Sequence, residues 1–187
     1  MGILRGSLSQ TVGFVALGVC AVLSAAPGAQ AQALLDREQQ IKAGFLYNFV
    51  KFVDWPAEVL RETSDTISIC VLSDDPAYEA LETIEGKTVK GRRLAVRRVD
   101  TVKDLESCHV AFFGPAEEKR LPQIMRSLQG FSVLTVGDIG RFAQSGGIIN
   151  LFVENNKVRF EINVDRAERA RLKLGSQLLS LAKVVKE

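Results

Sequence analysis

The clearest pattern in the chain is a strict alternation towards its C-terminal end. Across Lys157–Asn163, Val158, Phe160 and Ile162 fall on one side and Lys157, Arg159, Glu161 and Asn163 on the other, the period of a β-strand. Asn155-Asn156 stands just before it, and asparagine tolerates the positive φ that a type I′ turn requires. A two-residue turn there predicts an apolar face that pairs Val153 with Val158, Leu151 with Phe160 and Ile149 with Ile162. The opposite face then pairs Glu154 with Lys157, Phe152 with Arg159 and Asn150 with Glu161, setting unlike charges and an aromatic–arginine pair side by side. Ile148, Phe152 and Arg159 are candidate partner-binding residues, because apolar and arginine side chains are enriched where partners dock. Solvated hairpin surface is the alternative reading.

Upstream the period changes. Ile41, Phe45, Leu46, Phe49, Phe52 and Val53 recur at helical spacing, which predicts a helix over Asp36–Val53 ended by Trp55-Pro56. Tyr47, Asn48 and Lys51 within it have no role that periodicity assigns. Strands and helices then alternate: a strand at Thr66–Leu72, a turn and cap at Ser73–Pro76, a short helix at Ala77–Ile84 ended by Gly86, and a strand at Arg93–Val99. A helical link at Thr101–Glu106, a strand at Cys108–Phe113, a helix at Pro115–Leu128 and a strand at Ser132–Val136 follow. The chain closes on a helical segment, with Asp165 and Glu168 as a capping box and Leu174, Leu178, Leu181, Ala182 and Val185 as one apolar stripe. Lys183 and Lys186 suit that helix's negative end. The expected fold class is α/β: a single domain, with a mixed, mostly parallel sheet, flanking helices and a C-terminal β-hairpin followed by a helix.

Residues 1–31 read as a secretory signal peptide rather than as part of the fold. One positive charge precedes the apolar run TVGFVALGVCAVLSAA, Pro27-Gly28 breaks it, and Ala29-Gln30-Ala31 offers small residues to a signal peptidase. The run is short for a membrane span, and Val19 before Cys20 does not suit a lipoprotein site. The domain is then 32–187, long enough for one sizeable core and short for two.

With 24 basic against 22 acidic residues, charge makes no global case for nucleic acid. The local basic run KTVKGRRLAVRR at 87–98 is interleaved with apolar residues, as a solvated strand face would be. Export changes how Cys70 and Cys108 are read: in an oxidising compartment they are a candidate disulfide, with two free core thiols as the alternative. A metal site is poorly served, since His109 is the one histidine and alternation points it away from Cys108. The same shortage leaves a serine or cysteine hydrolase without a base, and the acidic pairs Asp74-Asp75 and Glu117-Glu118 sit where turns and helix starts use acids. The glycine-rich loop GDIGRFAQSGG at 137–147 follows a strand but matches neither phosphate-binding motif, so no nucleotide or other cofactor is expected.

The blocks IKAGFLYNFVKFVDWP at 41–56, ISICVLSDD at 67–75, GKTVKGRRLAVRRV at 86–99, CHVAFFG at 108–114, VLTVGDIGRFAQSGGIINLFVENNKVRFEIN at 133–163 and the ending SQLLSLAKVV resemble the YfiR-like periplasmic proteins. The resemblance implies a periplasmic repressor with no catalytic residues. It would bind the periplasmic domain of an inner-membrane diguanylate cyclase and lower cyclic-di-GMP signalling, and so govern biofilm formation and motility. It also implies an OmpA-like outer-membrane lipoprotein that sequesters the repressor, and it admits a homodimer. Cys70 and Cys108 match the family's disulfide pair, and Arg159, Glu161 and Asn163 lie in its VRFEIN motif as candidate partner-binding residues. Arg171 and Gly175 depart from the Gly and Ser common in relatives, which puts the break expected near 171 in question, and a second cysteine pair found around the GGxI loop of some members is missing. The alternative is a periplasmic small-ligand sensor coupled to another membrane receptor, using the loop at 137–147 and the polar side of the hairpin.

Overall fold

The computed structural model describes residues 27–60, 65–72 and 75–186, with side chains from residue 32. The predicted signal peptide lies outside the described residues through position 26. The first helix, α1, runs Pro27–Phe52, starting earlier than its apolar pattern and stopping where Trp55-Pro56 forbids more helix. Val53–Asp54 (β1) follows, then β2 (Thr66–Leu72), α2 (Ala77–Glu82), β3 (Thr88–Val89) and β4 (Arg92–Val99). A 3-10 turn at Val102–Ser107 leads to β5 (Val110–Phe113); a second at Pro115–Arg120 runs into α3 (Leu121–Ser127). The chain then forms β6 (Leu134–Gly137), β7 (Ile149–Glu154), β8 (Lys157–Asn163), α4 (Val164–Arg169), β9 (Lys173–Leu174), α5 (Ser176–Leu181) and β10 (Lys183–Val185).

Eight strands form one sheet in the order β10-β8-β7-β6-β5-β2-β4-β3. Only β3/β4 and β7/β8 run antiparallel within it, so the sheet is mixed and mostly parallel as the alternating elements require. Lys90-Gly91 (φ 51° and 76°) makes the tight β3–β4 turn, an edge hairpin that the basic run at 87–98 had masked. A separate pair, β1 with β9, ties the end of α1 to the far end of the chain through Val53↔Leu174 and Asp54↔Lys173.

Each face of the sheet has its own core. On one, Ala43, Leu46, Phe49 and Val50 of α1 and Ala77, Ala80 and Leu81 of α2 pack on Ile67, Ile69, Val71, Val110, Phe112, Leu134, Val136, Phe160 and Ile162. The Phe160 ring lies 5.6 Å from Phe45 and 5.1 Å from Phe49, and burying such a ring is worth about 1.5–3 kcal/mol. On the other, Leu105, Leu121, Ile124, Met125 and Leu128 cover Cys70, Cys108, Ala111, Phe113 and Val133. Cys70 and Cys108 are joined there as a disulfide, with Cα atoms 6.1 Å apart, and the Arg97 guanidinium sits 3.9 Å from both sulfurs.

Two elements differ from their sequence pattern. The buried stripe of α1 is rotated: Ile41 is exposed and Phe45 and Phe52 are half-buried, while Lys42, Ala43 and Val50 face inward. An ion pair described below takes Lys42 inside. The predicted closing helix is broken into α4, β9, α5 and β10, because Arg171 adopts φ 58° and ends α4, and Ala182 is extended at the end of α5. Lys183 therefore lies in a strand beside Glu161 rather than at a helix end. The N-cap of α4 is Asn163, whose side-chain oxygen accepts from Arg166 N–H at 3.0 Å.

Candidate functional site

The hairpin β7–β8 has the register its alternation dictates: Ile149↔Ile162, Leu151↔Phe160 and Val153↔Val158 on one face, Asn150↔Glu161, Phe152↔Arg159 and Glu154↔Lys157 on the other. Asn155 and Asn156 take φ of 50° and 57°, the left-handed pair a type I′ turn needs. The root of the hairpin is buried on both faces, under α1 on one and against the 138–147 loop on the other. Its tip stands clear: Val153 is half-exposed, and Glu154–Lys157 are exposed.

The five candidate partner-binding residues divide along that gradient. Phe152 is half-buried and Arg159 exposed, directly opposite each other. Ile148, Glu161 and Asn163 are 3%, 5% and 0% exposed, which corrects the expectation that they share this surface. Ile148 N–H donates to Thr135 Oγ1 at 2.9 Å. Glu161 accepts from Asn150 Nδ2 at 3.2 Å and meets Lys183 Nζ at 3.7 Å. Asn163 caps α4 and donates to the Ala143 carbonyl at 2.9 Å. These three hold the hairpin root in place, and Phe152 with Arg159 is the pair they present. Phe152 is not among the hydrophobic residues packed against the second core.

A concavity of about 580 Å³ opens beyond the carboxyl ends of the parallel strands β2, β5 and β6, the position where open α/β sheets hold ligands. Asp75, Gly114 and Asp138 line it, and Lys42 reaches in from α1 to pair with Asp138 and Glu38. Burial opposes the Lys42 ammonium, but the hydrogen bonds and charges of Asp138 and Glu38 outweigh it and hold the pKa above its ordinary value. Burial pushes the Asp75 carboxyl up, Asp138 and Glu117 add to the rise, and the Ala77 N–H bond and Lys42 oppose it. Among the described residues no group of three or more His, Cys, Asp or Glu side chains is placed to hold a metal.

The glycine-rich loop is filled by its own phenylalanine. A Cβ on Gly137 would lie 2.4 Å from the Phe142 ring and one on Gly147 2.0 Å from it, so both glycines make room for a core residue rather than for a phosphate. His109 is likewise structural. Its Nδ1 accepts from Ser68 N–H at 3.0 Å, its carbonyl accepts from the Trp55 indole N–H at 3.1 Å, and burial pulls its pKa down, with Arg97 and Arg92 adding to the fall against a hydrogen bond to Val59. Lys42 and Asp138 have no assignment in the sequence pattern and Asp75 reads there only as a turn acid, because no local spacing links residues brought together from three separate segments.

A family model described as YfiR/HmsC-like matches residues 39–183. Among solved structures the chain is similar to a conserved domain protein from Vibrio cholerae O1 biovar eltor, with 12% identity and a TM-score of 0.48 over 70% of this chain and 58% of that one. The match thus spans less than two thirds of that protein's length. No helix among the described residues is long and apolar enough to cross a membrane.

Proposed function

The chain belongs to the YfiR/HmsC-like family, whose members are regulators rather than catalysts, and from that premise we propose that it is a non-enzymatic periplasmic repressor. It binds the periplasmic domain of an inner-membrane diguanylate cyclase and lowers cyclic-di-GMP output, and an OmpA-like outer-membrane lipoprotein relieves it by competing for the repressor. The observation that supports this reading is the Phe152–Arg159 pair. An aromatic and an arginine, matched in register on a two-stranded arm whose tip is exposed, form a compact anchor of the kind that dominates binding energy at interfaces.

The test is capture of the disulfide-bonded domain by the periplasmic domains of membrane diguanylate cyclases from the same cell. Wild type should be retained specifically. Phe152→Ser and Arg159→Glu should each weaken retention at least tenfold, about 1.4 kcal/mol, with the melting temperature nearly unchanged for Arg159→Glu. Retention unaffected by both variants would remove the hairpin from the interface. Absence of capture with every cyclase would overturn the repressor reading in favour of ligand sensing.

A further inference from the structure

The face of the sheet opposite α1 carries a pocket distinct from the strand-end cleft. It has a volume of about 320 Å³, within the range of small-molecule sites, and lies between the end of α3 and the outer side of α4. Its apolar lining is drawn from Met125, Leu128, Val133 and Ile148, all of them 7% exposed or less, with Phe131 at 37% providing a partly exposed ring. Its polar lining is Thr135, Gln129 and the two arginines of α4, Arg166 and Arg169. Three residues apart on a helix, these share one side of it. The cleft at the strand ends, by contrast, is lined by Asp36, Asp75, Glu79 and Asp138.

The arginine side is built rather than incidental. Arg166 Nε donates to the Gly146 carbonyl at 3.1 Å, which fixes the plane of the guanidinium. Gly146 has φ +102°, and a Cβ there would stand 2.5 Å from Arg166 Nη2, so the backbone turn and the space for the guanidinium both depend on glycine. A planar guanidinium held in this way suits a carboxylate, which it can meet with two parallel N–H···O bonds. The buried aliphatic lining suits an apolar body attached to that carboxylate.

We propose that the pocket between α3 and α4 binds a small monocarboxylate with a compact apolar body, its carboxylate on Arg166 and Arg169 and its body against Leu128, Val133 and Ile148. Ile148 immediately precedes β7 and its N–H is held by Thr135 Oγ1, so an occupant would touch the root of the hairpin.

The test uses the whole domain with its disulfide intact and reads binding directly, by calorimetry and by methyl NMR of Met125 and Ile148, so its outcome is independent of any cyclase. Hexanoate and benzoate are the probes, with hexanol and benzyl alcohol as uncharged counterparts and acetate as the anion without a body. The expected result is saturable binding of at least one carboxylate probe, at least tenfold tighter than its alcohol and than acetate, and weakened at least tenfold in Arg169→Gln. A second variant, Leu128→Gln, should weaken the carboxylate without creating acetate binding, and both variants are checked for an unchanged fold by circular dichroism. Equal binding of acid and alcohol, undiminished binding in a folded Arg169→Gln, or no methyl shifts at millimolar probe would overturn the proposal.

Discussion

Lys42 of α1 and Asp138 just beyond β6, 96 residues apart in the chain, form an ion pair whose lysine is 3% exposed. The ammonium also meets Glu38 one turn earlier at 2.5 Å, so a single buried cation holds two carboxylates from different elements. Lys42→Met should lose about 2–4 kcal/mol in chemical denaturation; the carboxylates keep some contact with solvent, so the loss falls towards the lower side of what breaking a buried pair costs. Lys42→Met combined with Asp138→Asn should recover part of it. Because the folded pKa of Lys42 is raised, its contribution is complete below the unfolded value near 10.4 and is lost only as pH rises through the folded value.

His109 carries the opposite linkage. Its folded pKa is lowered, chiefly by burial, and protonating Nδ1 would set a new N–H against the Ser68 N–H it now accepts from. In the window below about 6.5 the unfolded chain binds the proton that the folded chain refuses, so stability is complete above that value and falls as pH drops towards the folded pKa. Denaturation at pH 7.5 and 5.0 should show this loss, and His109→Asn, which keeps an acceptor and removes the titration, should flatten it.

The Cys70–Cys108 bridge closes a sequence separation of 38 residues and ties β2 to the residue that ends the 3-10 turn before β5. Constraining the unfolded chain to that loop is worth about 4 kcal/mol in the chain-entropy account. The double variant Cys70→Ala with Cys108→Ala should therefore melt well below wild type, and a reductant should lower the wild-type midpoint while leaving the variant's where it is.

Arg171 sits at φ 58°, at the point where α4 ends and the chain turns towards β9. A left-handed arginine costs about 1 kcal/mol. Its ion pair with Glu58, at 2.5 Å, joins two side chains that are each more than half exposed and returns little. Arg171→Gly should gain up to about 1 kcal/mol in denaturation experiments, after the extra chain entropy of glycine is taken into account. A loss would show that the Glu58 pair outweighs the backbone strain.

The hairpin was legible from end to end, register included, because alternation and a turn of two asparagines are local signals that agree with each other. The alternating strands and helices were legible for the same reason. The rotation of α1 was not: a stripe that includes Ile41 and one that includes Lys42 overlap on a helix, and the choice is made by Asp138 from far along the chain. The closing segment misled in another way, since Leu174, Leu178 and Leu181 keep helical spacing although a backbone reversal at Arg171 and two short strands divide the segment. Within the candidate site, alternation placed Glu161 and Asn163 on the face of Arg159 correctly, but which rows of that face are buried depends on the 138–147 loop, and no strand pattern encodes that.

The aromatic contacts of Phe45 and Phe49 with Phe160 set the opening helix on the strand that arrives almost last. A chain that emerges N-terminus first must keep that helix's apolar side idle until the far end of the chain follows. Closure of so long a loop makes the last docking step slow beside the local folding of helices and turns. A copy cut short at either end would lack the hairpin or the helix that seats it.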